Sequence, residues 1–319
     1  VAPTTLSINY QIQTRAAGGD FADRGTGDWT PSGLLVAAVG PLDTVLHVNM
    51  TRFPSVGDGL LLNDEVIRVD AVDESAGTLN VGRGCFDTLP AGHDESDVIW
   101  LWRDALESDG IEYLAGETVE VRLLTRTSTE TLAASAAPVS SLVIAQRQSR
   151  PYLPGNIRVN GSPYPSQVIA ATDYTLTFAH RDRLLQADRL IDCTEGSIGP
   201  EPGVEYVATL INPDTAEEVW SITSGDASIP LPYVTGGSDA AEHALTLQSI
   251  RDGITSLYTF RTLLPAGQYK AFPLTVTLSL TILDGGDWAG ITPEDTDTGA
   301  VPELYAISEA AGIDRKSVV

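Results

Sequence analysis

The feature that most constrains this chain is alternation of apolar and polar side chains with a period of two. From Phe272 to Ile282, the residues Phe272, Leu274, Val276, Leu278, Leu280 and Ile282 alternate with Pro273 and small hydroxyl residues. Only an extended strand with one buried face satisfies that spacing. Tyr174 to Phe178 and Val119 to Leu123 repeat it. Turn formers punctuate the runs: Gly57-Asp58-Gly59, Asn63-Asp64, Glu74 to Gly77, Pro213-Asp214, Gly236-Gly237 and Asp252-Gly253. Helical patterns are scarce. Arg181 to Asp192 and Val301 to Gly312 have helix-forming residues for a few turns, but both are short and neither opens on a strong capping box.

The pattern predicts an all-β chain of consecutive small modules. Residues 1–104 are expected to form a small barrel-like module, with strands at Leu6 to Ile12, Val45 to Val48, Gly59 to Val72, Leu79 to Gly82 and Val98 to Trp102. Residues 105–150 are expected to add a connecting β segment, with Ala133 to Ser141 as a small-residue connector. Residues 151–265 read as a sandwich. Residues 266–319 read as a C-terminal strand followed by an acidic, extended tail from Gly285 to Pro302. No fixed-period repeat supports a solenoid or propeller.

Charge narrows the function. A formal net charge of −24, spread along all 319 residues, repels nucleic acid and anionic lipid. No segment approaches the roughly 18 consecutive apolar residues of a membrane span; the nearest, Gly33 to Val39, is far shorter. The opening Val1-Ala2-Pro3 carries no secretory pattern, and its lack of Met fits a processed chain or a window of a longer one. Cys85 and Cys193 lie far apart without CxxC or His/Cys ligand spacing, so they read as buried small hydrophobes in a reducing compartment.

Chemistry-bearing motifs are few. His47, His93, His180 and His243 sit in no hydrolase or zinc-protease frame, and no catalytic, cofactor or metal residue is assigned. His93-Asp94-Glu95-Ser96-Asp97 gathers oxygen ligands, yet its spacing is not that of a calcium loop, and a solvated turn is expected. In Arg83-Gly84 to Asp87-Thr88, the Asp87 and Thr88 side chains are expected to bond nearby amides, leaving Arg83 to pair with a carboxylate. Pro151-Tyr152-Leu153-Pro154-Gly155 reads as a stiff linker. Arg158, Arg181 and Arg183 are expected to pair with acidic groups across module or subunit boundaries. Among Trp29, Trp100, Trp102, Trp220 and Trp288, the pair Trp100 and Trp102 share one strand face, as core or interface residues do.

Two motifs resemble a known family. Asn63 to Val69 (NDEVIRV) followed by Val81 to His93 (VGRGCFDTLPAGH) resembles a pattern of bacteriophage tail and baseplate modules. Arg150 to Gly161 (RPYLPGNIRVNG) followed by Leu176 to Arg183 (LTFAHRDR) is similar to the linker and first core strand of a fibronectin type III-like domain of large phage tail-tip proteins. In that alignment Tyr174 to His180 is strand B, with Phe178 at the usual core Trp position. Val204 to Asn212 and Glu217 to Thr223 are the strands of the C region, His243 to Leu247 is strand F, and a last strand lies near Ser256 to Phe260. His243 stands where many relatives have a corner Tyr, and Arg181 to Gly203 is long for a B–C loop, leaving room for a helix or outer lobe.

The resemblance implies a structural virion protein of the tail tip or baseplate, assembled in the host cytoplasm and not an enzyme. Its partners would be copies of itself, in threefold or sixfold symmetry, and other tail proteins. The alternative it leaves open is a host-surface receptor-binding, adhesin-like tail protein.

Overall fold

The computed structural model describes residues 4–102, 109–169, 173–232 and 242–265. The expected strand Phe272 to Ile282, the acidic stretch from Gly285, Trp288 and the possible helix Val301 to Gly312 lie outside the described residues. Within them the regular structure is β, apart from 3-10 turns at Trp102 and at Arg147–Ser149.

The first sheet brings distant segments together. Strands β1 (Asn9–Ala16) and β2 (Ala22–Asp28) form a hairpin; β9 (Thr118–Arg126) and β10 (Val139–Val143) form another. β1 pairs antiparallel with β9, giving the order β10-β9-β1-β2. The barrel is therefore an insertion between β2 and β9, and residues 1–104 do not all enter it. Leu6 is 74% exposed, and the first strand starts at Asn9 rather than Leu6. The last three residues of the expected connector Ala133 to Ser141 belong to β10.

The barrel closes from β3 (Ser32–Leu35), β4 (Val45–Met50), β5 (Gly59–Leu62), β6 (Glu65–Asp73), β7 (Thr78–Gly82) and β8 (Val98–Leu101), in the order β3-β4-β7-β6-β5-β8. β4 shows why: Leu46, Val48 and Met50 point inward, while Val45, His47 and Asn49 point out. Leu35, Leu60, Leu62, Ile67, Val69, Leu79 and Ile99 complete the packing. Each fully buried aliphatic side chain stabilises by about 1.5–3 kcal/mol. Closure also removes the open sheet edges that invite aggregation.

The third module is a two-sheet sandwich. One sheet runs β12 (Ser162–Pro163), β11 (Gly155–Val159), β13 (Tyr174–Ala179), β16 (Ser228–Leu231). The other has β15 (Glu218–Ser224), β14 (Glu205–Ile211) and β17 (Glu242–Arg251), with β18 (Ile254–Thr255) and β19 (Phe260–Pro265) pairing with β17. Taking β11, β13 and β16 as A, B and E, and β15, β14, β17 and β19 as C′, C, F and G, this is the strand order of a fibronectin type III-like sandwich. Ile157, Leu176, Phe178, Tyr206, Leu210, Ile229, Leu245, Leu247 and Phe260 fill the space between sheets.

Two expectations need correction here. The last sandwich strand runs Phe260–Pro265 rather than Ser256 to Phe260, because Ser256 is tied back to Ser249, its amide donating to the Ser249 carbonyl at 2.8 Å. Arg181 to Asp192 forms turns, not a helix. An Asp182 carboxylate oxygen accepts from the amides of Leu184 and Leu185 at 2.8 and 3.1 Å, and Arg181 and Asp192 are drawn into the packing described below.

The alternation in β4 yields a direct test. Leu46→Ala is expected to lower stability by about 2–5 kcal/mol, as core truncations do. Val45→Ala, one residue away and 44% exposed, should stay within about 0.5 kcal/mol of wild type in denaturant unfolding.

Candidate functional site

The motif from Arg83 to His93 builds a buried polar staple. Glu65 at the start of β6 and Arg83 just after β7 are 2% and 1% exposed, so both charges are out of water. Such burial is tolerated only when every polar atom is matched. Arg83 Nε and Nη2 donate to the two Glu65 oxygens, each at 2.8 Å. Nη1 donates to the carbonyls of Gly40 and Asp43, and Nη2 also to that of Ala91. Glu65 accepts in addition from the amides of Gly84 and Ala91 and bonds His93 Nε2 at 2.8 Å. Burial pushes the Glu65 carboxyl up, but the bonds from His93 and Arg83, together with the Arg83 charge, outweigh it and hold the group below its ordinary value.

The rest of the motif serves the same loop and the joint beyond it. Thr88 Oγ1 donates to the Cys85 carbonyl within the turn, where a bond to a nearby amide was expected, and the amide it accepts from is that of Val66 on β6. Asp87 differs from expectation: its carboxylate takes a two-pronged bond from Arg147, Nε at 2.8 Å and Nη2 at 2.5 Å. Gly84 adopts φ +52°, and a Cβ there would meet Pro90 at 2.8 Å and Cys193 at 3.0 Å. Phe86 also has a left-handed backbone, φ 56°, a strained state for an aromatic residue. It is held edge-on to Trp102 (5.2 Å between ring centres) and Tyr152 (6.3 Å). Leu89 packs against the sandwich core.

The expected linker is thus a buried joint. Pro151, Leu153, Pro154 and Gly155 are buried, and Leu153 belongs to the sandwich core. The B–C insertion closes over the barrel loop: the Asp192 carboxylate accepts from the Arg83 amide at 2.6 Å, and the Cys193 amide donates to the Arg83 carbonyl at 2.8 Å. Arg68 reaches from the barrel to the Leu190 carbonyl and to Glu195. Arg251 and Arg183 both pair with buried Glu201, and they also hold the Ser149 and Gln148 carbonyls.

Other sequence-derived candidates fall elsewhere. Among the described residues Arg158 bonds its own neighbourhood, Asn156 and the Gly161 carbonyl, rather than a carboxylate across a boundary. Arg181 donates to the carbonyls of His180, Asp192, Glu195 and Gly196 rather than to a carboxylate. It lies so close to Gly155 that a Cβ there would collide with the guanidinium. In the acidic cluster, His93 turns inward, while Asp97 accepts from the Asp94 amide and from Asn63. Among the described residues no group of three or more His, Cys, Asp and Glu is placed to hold a metal. Cys85 and Cys193 are buried and unbridged, and burial pushes the Cys193 thiol up to about 12. His180 Nδ1 bonds the Tyr206 hydroxyl at 2.7 Å, and His243 is 2% exposed in β17. Trp100 points outward from the barrel, since Ile99 and Leu101 point in, but Trp102 lies past the end of β8 and so shares no strand with it; its ring lies against Phe86 and beside Gly59. A separate groove of about 870 Å³ lies on the first sheet, lined by Trp29, Val121, Leu123, Leu132, Ala133 and Pro138 among others.

No family model and no curated protein matches the chain. Among solved structures, fibronectin domains FN1–FN3 of chicken CNTN1 align over 75% of this chain and 67% of that one, at 8% identity and a TM-score of 0.23. At that score the likeness carries no argument, and the fibronectin type III-like description rests on the strand order.

Two tests follow from this geometry. Glu65→Gln leaves the Arg83 charge buried without a counter-ion and should cost about 3–5 kcal/mol. Because the Glu65 value is lowered on folding, its contribution is complete above the ordinary value of 4.5 and fades as pH falls through the lowered one. The stability gap between wild type and Glu65→Gln should therefore be level at neutral pH and narrow on acidification, in urea titrations run at several pH values. Asp87→Ala should loosen the joint while each module stays folded. Spin labels on the barrel and sandwich would then report a broader distance distribution than in the parent.

Proposed function

We propose that this chain is a structural component of a bacteriophage tail, at the tip or baseplate, that assembles with copies of itself and with other tail proteins and performs no catalysis. The observation that carries the reading is the joint. Leu89 of the barrel loop against the sandwich core, Asp87 on Arg147 and Asp192 on Arg83 fix two β modules at one orientation. A part that must transmit force or hold ring geometry needs that stiffness, whereas a flexible tether would defeat it. The likeness of Asn63 to Val69 and Val81 to His93 to phage tail and baseplate modules supports the same reading, since the second stretch builds the loop that makes the joint and Glu65 of the first anchors it. Assembly then works through many weak contacts closed into a ring.

A second reading, a host-surface receptor-binding tail protein, has one observation in its favour: the Trp29-lined groove, whose aromatic and aliphatic walls suit a sugar face or an extended peptide. Fold alone does not decide between them.

Antibodies raised against the chain, applied to particles purified from the lysate of the cell that encodes it, test both. Gold label at one end of the tail is the expected result, and particles that never take label would overturn the virion reading. Binding of the isolated chain to bacterial cells or to a glycan array would shift the weight to the receptor reading.

A further inference from the structure

The first sheet ends on an edge that nothing among the described residues covers. β10 (Val139–Val143) pairs with β9 on one side only, and all its residues are exposed, with Val139 at 47%, Leu142 at 61% and Val143 at 58%. Its hydrogen-bonding direction can be read from its neighbours. The Ile144 amide donates to the Glu117 carbonyl, and the Ile144 carbonyl accepts from Gly116, so Ile144 faces the β9 side. On β9, Thr118 and Arg126 turn their carbonyls toward β1, accepting from Ala17 and Ile8, while Thr125 turns its own away. Strand alternation then aims the main-chain groups of Ser140 and Leu142 at β9, and those of Val139, Ser141 and Val143 outward.

An open apolar edge is a template for another strand, and proteins normally blunt it with charge, proline or a bulge. The opposite edge of this sheet is blunted in that way: β2 carries Asp23, Arg24 and Asp28, and its register slips beside Ile12 and Gln13. β10 is not. It lies within Thr131 to Gln146, the longest stretch of the chain with no charged residue. In a protein of net charge −24, that stretch is where a second copy meets least like-charge repulsion.

We propose that β10 is a self-pairing edge, on which Val139–Val143 of one copy adds antiparallel to the same strand of a second copy, centred on Ser141. That register uses all the outward groups. It sets Val139 against Val143 of the other copy on one face and Ser140 against Leu142 on the other. The result is one continuous sheet through both molecules, with the charged β2 edges at its ends. The inference rests on the self-association in the reading above but not on the virion placement.

Analytical ultracentrifugation of the full chain over a wide concentration range tests it. Wild type should show a mass of two copies, more so at high salt, where repulsion is screened. Ser141→Pro removes an outward amide and leaves the β9 ladder intact, and Val143→Lys blunts the edge with charge. Each should weaken association at least about tenfold with the melting temperature unchanged. Ser141→Cys treated with diamide should give a covalent dimer, whereas Val139→Cys, about 13 Å from its own counterpart in this register, should not. Association that survives in folded Ser141→Pro and Val143→Lys, or cross-linking through Val139→Cys instead of Ser141→Cys, overturns this edge alone. A chain that stays monomeric at all concentrations and salts overturns the edge and the self-association together.

Discussion

The structure depends on one buried ion pair. Removing Arg83 and Glu65 from water costs several kcal/mol per charge, and their mutual attraction offsets this only if the remaining donors and acceptors are also matched. Here they are: Arg83 meets both Glu65 oxygens and the carbonyls of Gly40, Asp43 and Ala91, and Glu65 takes the amides of Gly84 and Ala91 besides His93. The pair therefore acts less as glue than as a template. It dictates where residues 83 to 93 must lie, because any other loop path strands a charge in the barrel wall. Phe86, Asp87 and Leu89 ride on that loop, and their positions set the joint with the sandwich.

Several of the scarce positive side chains of this acidic chain meet around the same joint. Arg68, Arg181, Arg183 and Arg251 bond groups of the B–C insertion, while Arg147 and Arg150, beside the linker, hold Asp87 of the barrel loop and the Thr255 carbonyl. Several of them hold backbone carbonyls rather than carboxylates. Arginine suits this and lysine does not: a planar fork with several donors can bridge two or three carbonyls at once, and it tolerates burial better than a strongly hydrated ammonium. Near absence of lysine in the sequence fits a protein whose cations are fasteners rather than surface charges.

Local periodicity made the strands legible wherever one face is buried. β4, β13, β14 and β17 each announce themselves by alternation; the sandwich order was expected from the fibronectin type III-like resemblance and is seen in the strand pairing. β2 was invisible, since ADRGTGD has neither alternation nor β-branched weight. The pairing of β1 with β9 was invisible for another reason: no local signal records a partner a hundred residues away. In the candidate site, the turn role of Thr88 and the need of Arg83 for a carboxylate could be read from residue type. That the carboxylate would be Glu65, and that Asp87 would leave its turn to hold Arg147, could not, because both depend on how the barrel closes. Asp182 accepts from the Leu184 and Leu185 amides as a helix N-cap would, yet no helix follows Arg181; the Arg181 guanidinium and the Asp192 carboxylate bond main-chain groups elsewhere, at the two ends of the segment.

The nesting of modules adds a mechanical consequence. A barrel strung in line between two domains is held at its ends only, and rotation about either connection is cheap. This barrel is instead inserted between β2 and β9, which lie in one sheet, so both its entry and its exit are anchored in the same body. Its loop is fastened independently to the sandwich through Asp192 and Cys193, and through Arg147 to the 3-10 turn that leads into the linker. A body held at both ends and again through that loop cannot swing about any single connection without breaking bonds at another. Bending the chain at the linker would require uncovering Leu153 and Leu89 together with the bonds of Asp87 and Glu201. The stiffness is thus a property of the packing, with the prolines at Pro151 and Pro154 only completing what burial already imposes.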